Sequence, residues 1–177
     1  MDDLRSRLTE EIPHLRRYAR ALVRGNRDEA DDLVQECLER ALSRASQWDP
    51  TKGTRSWLFG IMHNNFVSSV RKRNRQSELQ RRYPAEDTVQ ANHDQSCELD
   101  LVQEALDKLP ADQRDAIILI AVSGLSYEEA SEALSVPVGT VRSRLSRARE
   151  ALRSRMSASP VDAGADARAV AADRGMS

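Results

Sequence analysis

Apolar residues recur every three to four positions along three stretches in the first half of the chain, and this period predicts amphipathic helices. The first predicted helix runs from about Leu4 to Arg24, and the second starts near Asp28. A third predicted helix carries an apolar stripe from Trp57 to Val70 before it enters a basic run. The three stripes can meet in one core, so we predict a compact helical domain over residues 1–75.

The stretch over residues 76–98 is polar, lacks helical periodicity and contains Pro84, which predicts a flexible linker. Apolar periodicity returns in a second predicted domain over residues 99–156. Residues 157–177 are rich in Ala, Ser, Asp and Gly, a composition typical of a disordered tail. The predicted fold class is all-α, with two small helical domains joined by a flexible acidic linker.

The second domain contains the pattern of a helix-turn-helix. Ser126 and Glu129 form a capping box that opens a short helix, a turn follows around Pro137, and a longer helix starts near Val138. At about 100° per residue, the longer helix has one apolar face, made of Val141, Leu145, Ala148 and Leu152. The opposite face presents Gly139, Arg142, Ser143, Ser146 and Arg147. This arrangement predicts a recognition helix for the major groove of DNA.

Arginine suits guanine because its planar guanidinium donates two hydrogen bonds, to O6 and N7. Arg142 and Arg147 are the candidates for such base contacts. Arg149, Arg153 and Arg155 lie further along the helix, where contacts to phosphates or solvent are expected. The alternative interpretation is a solvated arginine-rich face, and the short capped helix before it favours DNA.

The formal net charge of −1 conceals a strong segregation of charge along the chain. Residues 71–82 carry six Lys and Arg against one Glu, and residues 138–155 carry six Arg against one Glu. Between them, residues 83–98 carry four acids and no Lys or Arg. Two basic segments separated by an acidic one are compatible with a nucleic-acid-binding protein despite the overall balance.

The sequence also argues against several classes of function. It lacks a glycine-rich phosphate loop and any motif that places a nucleophile beside a base. We therefore predict that the protein is not an enzyme and binds no cofactor. Its three histidines are scattered and its two cysteines, Cys37 and Cys97, have no ligand spacing, so neither a metal site nor a disulfide is expected. The amino terminus is unlike a signal peptide and no apolar run is long enough to span a bilayer, which predicts a cytoplasmic protein without membrane insertion.

The segments from Gly124 to Ala130 and from Val136 to Glu150 resemble region 4 of the sigma-70 family, in its extracytoplasmic-function (ECF) group. The preceding segments, Leu106 to Pro110 and Gln113 to Arg114, resemble the start of that region. In the family, region 4 recognises the −35 element of promoters. The resemblance implies −35 contacts at Thr140, Arg142, Ser143, Arg144, Ser146 and Arg147.

Two segments of the first domain are similar to region 2 of the same family. The segment from Asp31 to Glu36 is similar to region 2.2, which docks on the clamp helices of the polymerase β′ subunit, and this implies polymerase contacts at Asp31, Asp32, Gln35 and Glu36. Without the family, these acids are an ordinary solvated face.

The segment from Trp57 to Asn64, with Phe66 and the basic run, is similar to regions 2.3 and 2.4, which open the duplex and hold the −10 element. The resemblance implies −10 contacts at Trp57, Asn64, Arg71, Lys72 and Arg73. Asn64 occupies the position whose family counterpart contacts an extruded base of the non-template strand. Its amide supplies both donors and acceptors, and nearby arginines suit single-stranded phosphates. Taken alone, Trp57 is more often a core residue than a stacking platform.

The resemblance also implies partners. They are core RNA polymerase, bound through its β′ clamp helices and β flap, promoter DNA, and an anti-sigma factor that controls a stress response. The acidic linker is expected to thread the RNA exit path of the polymerase. Ile120 stands where Arg is common in this group, and Ser146 replaces a bulkier side chain, so the −35 sequence itself is not predicted.

Two other classes of protein share part of this pattern. A sigma mimic binds an anti-sigma factor and never touches a promoter, and the retention of Asn64, Arg142, Arg144 and Arg147 with Asp32, Gln35 and Glu36 favours a working sigma factor instead. A dimeric helix-turn-helix repressor would explain the second domain but would leave the first without a purpose.

Overall fold

A computed structural model describes residues 2–49, 51, 53–80 and 97–157 of the chain, and every regular element in these ranges is helical. The long helices of the first half are α1 (Asp2–Leu22), α2 (Arg27–Ser43) and α3 (Thr54–Gln80), with a short 3₁₀ turn at Ala45–Gln47. The second half holds α4 (Cys97–Asp107), α5 (Ala111–Ile117), a π-helical turn that continues it (Ile118–Val122), α6 (Tyr127–Leu134) and α7 (Val138–Ser157). The predicted all-α class is confirmed, and the linker core (81–96) and tail (158–177) lie outside the described residues.

Helices α1, α2 and α3 form one packed group, which we call the amino-terminal group. Helix α1 ends at Leu22, and Arg24 and Gly25 in the turn that follows take positive φ values of 56° and 80°. Asn26 then caps α2, its side-chain oxygen accepting a hydrogen bond from the Glu29 N–H at 3.2 Å. The apolar stripes face inward as predicted, and the core includes Leu15, Tyr18, Ala19, Cys37, Leu58, Phe59 and Met62. Helix α3 continues to Gln80, five residues past the domain boundary predicted at 75.

Helices α4 to α7 form the carboxy-terminal group, which contains the helix-turn-helix. The capping box is confirmed: Ser126 Oγ accepts from the Glu129 N–H at 3.1 Å, and Glu129 Oε2 accepts from the Ser126 N–H at 2.8 Å. Ser135 closes α6 in the left-handed conformation, with φ of 54°, and α7 starts three residues later. Val141, Leu145 and Ala148 are buried, so α7 turns the predicted apolar face toward the core.

The two groups pack against each other through one continuous apolar core. Helix α3 lies against α6, and α1 lies against the π-helical turn. A close approach lies at Gly60 of α3, where a Cβ atom would lie 3.2 Å from the carbonyl oxygen of Ala133 in α6. Glycine at this position lets the two helix backbones meet without a side chain between them. No helix in the described ranges is long and apolar enough to cross a membrane.

The thiol of Cys37 provides a direct test of this core. Cys37 is fully buried and its Sγ donates to the Leu58 carbonyl oxygen at 3.4 Å. Burial, which disfavours the thiolate, raises the pKa of Cys37 to about 12. Since the thiolate is the reactive form, we expect a Cys97→Ser chain to react with Ellman's reagent at least about a hundredfold more slowly when folded than in denaturing urea. Equal rates at mildly alkaline pH would place Cys37 outside the core.

Candidate nucleic-acid interface

The outward face of α7 is the clearest candidate for contact with DNA. Arg142, Ser143, Ser146 and Arg147 are all exposed on it, as is Gly139 at its start. Thr140 is half-buried, and its carbonyl oxygen accepts a hydrogen bond from Ser143 Oγ at 2.9 Å. The predicted separation between an apolar inner face and a polar outer face is therefore present in the structure.

Tyr127, the first residue of α6, orients Arg142. The guanidinium carbon of Arg142 lies 5.4 Å from the centroid of the Tyr127 ring, which is a cation–π distance. An open groove beside this pair is lined by Ser146, Arg149 and Arg153. The first helix of the helix-turn-helix thus helps to orient a predicted base-contacting arginine on the second helix.

Arg144 has a different environment from its neighbours on α7. Its Nε lies 3.1 Å from Asp112 Oδ2 at the start of α5, and 24% of its side chain is exposed. An arginine held by a carboxylate within its own domain has fewer donors left for DNA. Among the six predicted −35 residues, Arg144 is the one whose geometry indicates a positioning role for α7.

On α3, the predicted −10 residues do not form one uniform surface. Asn64 is exposed, whereas Trp57 is half-buried and packs against the core. Arg71 and Lys72 are exposed. Arg73 is also exposed, but its Nη1 donates to Glu29 Oε1 of α2 at 2.5 Å. Asn64 and the first two basic residues are therefore the part of α3 that is best placed for nucleic acid.

The predicted polymerase-docking residues lie on the solvent side of α2. Asp31 lies 3.5 Å from Arg16 Nε of α1, and Glu36 accepts from Arg40 Nη2 at 2.6 Å. Gln35 Nε2 donates to Glu39 Oε1 at 3.0 Å. Asp32 is exposed on the same helix. Ion pairs of exposed residues contribute little to stability, so this acidic face can tolerate substitution.

Sequence reasoning missed a set of polar residues that join the two helix groups. Ser56 Oγ of α3 donates to Glu132 Oε2 of α6 at 2.5 Å, and Arg55 Nη2 donates to the carbonyl oxygen of Ser123 at 3.0 Å. Arg24 Nε lies 3.2 Å from Asp107 Oδ2. The two members of each pair are far apart in sequence, so no local pattern relates them. A glycine inside an apolar helical run, Gly60, is the local feature that indicates a close contact between helices.

His63 lies at the same junction and belongs to this set. Its Nε2 is 3.8 Å from Asp115 Oδ2 of α5, and its Nδ1 is 3.3 Å from the hydroxyl of Tyr18. Burial lowers the pKa of His63 and raises that of Asp115, so both shifts favour the neutral forms. The 3.8 Å distance is within the range of an ion pair, but burial works against the charged form of both side chains. The described residues contain no cluster of three potential metal ligands.

Comparisons with known families match both halves of the chain. Residues 8–63 match the family described as the Sigma2 domain of PhyR, and residues 99–152 match the family described as Sigma-70, region 4. The two matches lie in the amino-terminal and carboxy-terminal groups respectively.

Similar proteins extend these matches over most of the chain. The ECF RNA polymerase sigma factor EcfG of Rhodopseudomonas palustris (strain TIE-1) is 43% identical over 152 residues, covering 85% of this chain and 83% of the relative. RpoE from Bartonella quintana, solved in complex with the anti-sigma factor NepR, is 35% identical with a TM-score of 0.73, covering 89% of this chain and 99% of that one. CnrH, solved with the cytosolic domain of CnrY, is 28% identical with a TM-score of 0.66, covering 88% of each chain.

Proposed function

The chain belongs to the extracytoplasmic-function group of the sigma-70 family, and from that premise we propose how its own residues serve transcription initiation. It binds core RNA polymerase through the acidic face of α2, recognises the −35 element through the outward face of α7, and recognises and helps to melt the −10 element through α3. The polymerase catalyses RNA synthesis, and the chain supplies promoter recognition. This function belongs to the cytoplasm and to a response to stress.

The observation that carries this proposal is the coexistence in one chain of two exposed polar surfaces with the chemistry to bind nucleic acid. One is the outward face of α7, with Arg142 and Arg147. The other is the exposed side of α3, where Asn64 is followed by Arg71 and Lys72. A repressor needs only the first surface and a mimic needs neither, whereas a promoter-opening factor needs both.

A footprint with and without core polymerase tests the proposal against both rivals. The proposed function requires polymerase for strong protection of the −35 and −10 elements. A repressor would protect a palindromic site tightly on its own. A mimic would protect nothing under either condition. Strong protection by the chain alone, or none with polymerase, would overturn the proposal.

Polymerase docking is tested by charge reversal on α2. We expect Asp32→Arg to weaken binding to core polymerase at least about tenfold, because like charges replace a complementary contact. Glu36→Arg should act in the same direction. Glu10→Arg, at an exposed position of α1, is the matched control and should leave binding unchanged. A pull-down with circular dichroism separates docking from folding: lost helicity in Asp32→Arg would make the residue structural.

We also propose that an anti-sigma factor of the NepR kind controls this chain. Support comes from the similarity to RpoE, whose structure was solved with NepR. Adding a NepR-like protein from the organism that encodes the chain to a transcription assay should reduce initiation as its concentration rises. Unchanged transcription at a large excess of that protein would remove this part of the proposal.

A further inference from the structure

We propose that Tyr127 holds Arg142 at the side of α7, and that Arg142 therefore binds the phosphate backbone of the −35 element and not its bases. This inference rests on the proposed function, because it divides the −35 contacts of α7 into two kinds. Tyr127 is a positioning residue, Arg142 and Arg149 bind phosphates on one side of the helix, and Arg147 contacts a base.

Arg142 and Arg147 leave α7 in different directions. They are five positions apart, which is about 140° around the helix axis at 3.6 residues per turn. Arg149 follows Arg142 by seven positions and Arg153 follows it by eleven, so both lie within about 20° of Arg142. Arg142 thus shares its side of α7 with these two arginines and not with Arg147.

The buried face of α7 shows which direction leads to the bases. The centre of that face, at Val141, Leu145 and Ala148, lies about 90° around the helix from Arg142 and about 130° from Arg147. A helix with its side chains is about 10–12 Å wide and the major groove is about 12 Å wide, so α7 would fill the groove. Residues opposite the buried face then meet base edges, whereas residues at about 90° meet the sugar–phosphate walls.

Tyr127 fixes the side of α7 on which the Arg142 guanidinium lies. The guanidinium carbon is 5.4 Å from the centroid of the Tyr127 ring, and the ring is half-buried and packs against the core. Tyr127 is the first residue of α6. Because the first helix of a helix-turn-helix crosses the DNA backbone, an arginine stacked on its first residue is directed toward phosphates.

The groove beside Tyr127 has the charge that phosphates require. Arg142, Arg149 and Arg153 all line it, and of its described lining residues one, Glu150, is acidic. The three arginines extend over about 16 Å of α7 at 1.5 Å per residue, so they can reach separate phosphates. Guanidinium groups form strong charge-assisted hydrogen bonds with phosphate oxygens, and such contacts carry no base sequence.

The salt dependence of promoter binding distinguishes a phosphate contact from a base contact. The complex of the chain with core polymerase is titrated onto promoters with single −35 substitutions at several salt concentrations. Arg142→Ala should weaken binding about tenfold at every −35 sequence, and should lower the slope of log Kd against log salt by about one. Arg149→Ala should behave alike, whereas Arg147→Ala should concentrate its loss at one base pair. Arg5→Ala, at an exposed position of α1, is the control for loss of a positive charge.

The positioning role of Tyr127 is tested through Arg142. Tyr127→Leu keeps an apolar side chain but removes the ring, so it should weaken binding about threefold at every −35 sequence. Tyr127→Phe keeps the ring and should bind like the parent chain. In an Arg142→Ala chain, Tyr127→Leu should cause no further loss, because the ring acts through the arginine. Equal losses in both backgrounds, or a loss in Tyr127→Phe equal to that in Tyr127→Leu, would overturn the positioning role.

The parent complex separates this inference from the proposed function. If it binds promoters with an intact and a scrambled −35 element equally well, the proposed function fails and the division of −35 contacts fails with it. If its binding depends on the −35 element, the Arg142→Ala result decides the inference alone. A changed preference at one base pair with an unchanged salt slope would make Arg142 a base-contacting residue and overturn the proposal.

Discussion

Replacing Asn64 with alanine is expected to leave closed-complex binding at the −35 element intact and to abolish most open-complex formation. Asn64 is exposed on α3, after the apolar segment that anchors the helix and before the exposed Arg71 and Lys72. Taking a base out of the stack costs a few kcal/mol, so the protein must supply compensating hydrogen bonds. An amide that both donates and accepts can do so, and a methyl group cannot.

Permanganate reactivity of unpaired thymines measures this defect. Ser68→Ala is the matched control, since Ser68 is exposed one turn further along α3. On a template already mismatched across the −10 region, the Asn64→Ala defect should largely vanish if the residue assists melting, and should persist if it serves sequence readout. If Asn64→Ala forms open complexes at the wild-type level on both templates, Asn64 is an ordinary polar surface residue.

Arg147→Ala is expected to impair −35 recognition while core polymerase binding stays at the parent level. Arg147 is exposed on the outward face of α7, away from buried Val141, Leu145 and Ala148. Loss of a bidentate contact to guanine should cost about 1–3 kcal/mol of discrimination. The defect should therefore be concentrated at one base pair of the −35 element.

Binding to a set of promoters with single −35 substitutions measures that change in specificity. Arg155→Ala is the matched control, because Arg155 is exposed near the end of α7 and is expected to meet phosphate or solvent. The control substitution should weaken binding to all promoters equally, or leave binding to all of them unchanged. An unchanged promoter preference in Arg147→Ala would refute its assignment to base readout.

Local patterns were sufficient to predict the helices and the orientation of α7. The capping box at Ser126 and Glu129 depends on residues three apart, and the buried face of α7 depends on a period of 3.6 residues. Both are properties of a short segment and are therefore visible in the sequence. The same holds for the end of α1, where Gly25 takes a positive φ.

Contacts between distant segments were beyond such patterns. The sequence places Arg144 and Arg73 among equivalent arginines, but the fold brings Arg144 to Asp112 and Arg73 to Glu29. No period or spacing relates residues 32 or 44 positions apart, so their partners emerge only with the tertiary structure. The packing of α3 on α6 is the largest example, because Gly60 indicates a close approach without naming Ala133 as the neighbour.

The central claim is that this chain directs core polymerase to a defined class of promoters, and sequencing the 5′ ends of transcripts tests it most directly. Core polymerase would transcribe genomic DNA from the organism that encodes the chain, with and without the purified protein. The account predicts new start sites that occur only with the chain and that share one −35 and one −10 element at fixed spacing. The same start sites with and without the chain would contradict it.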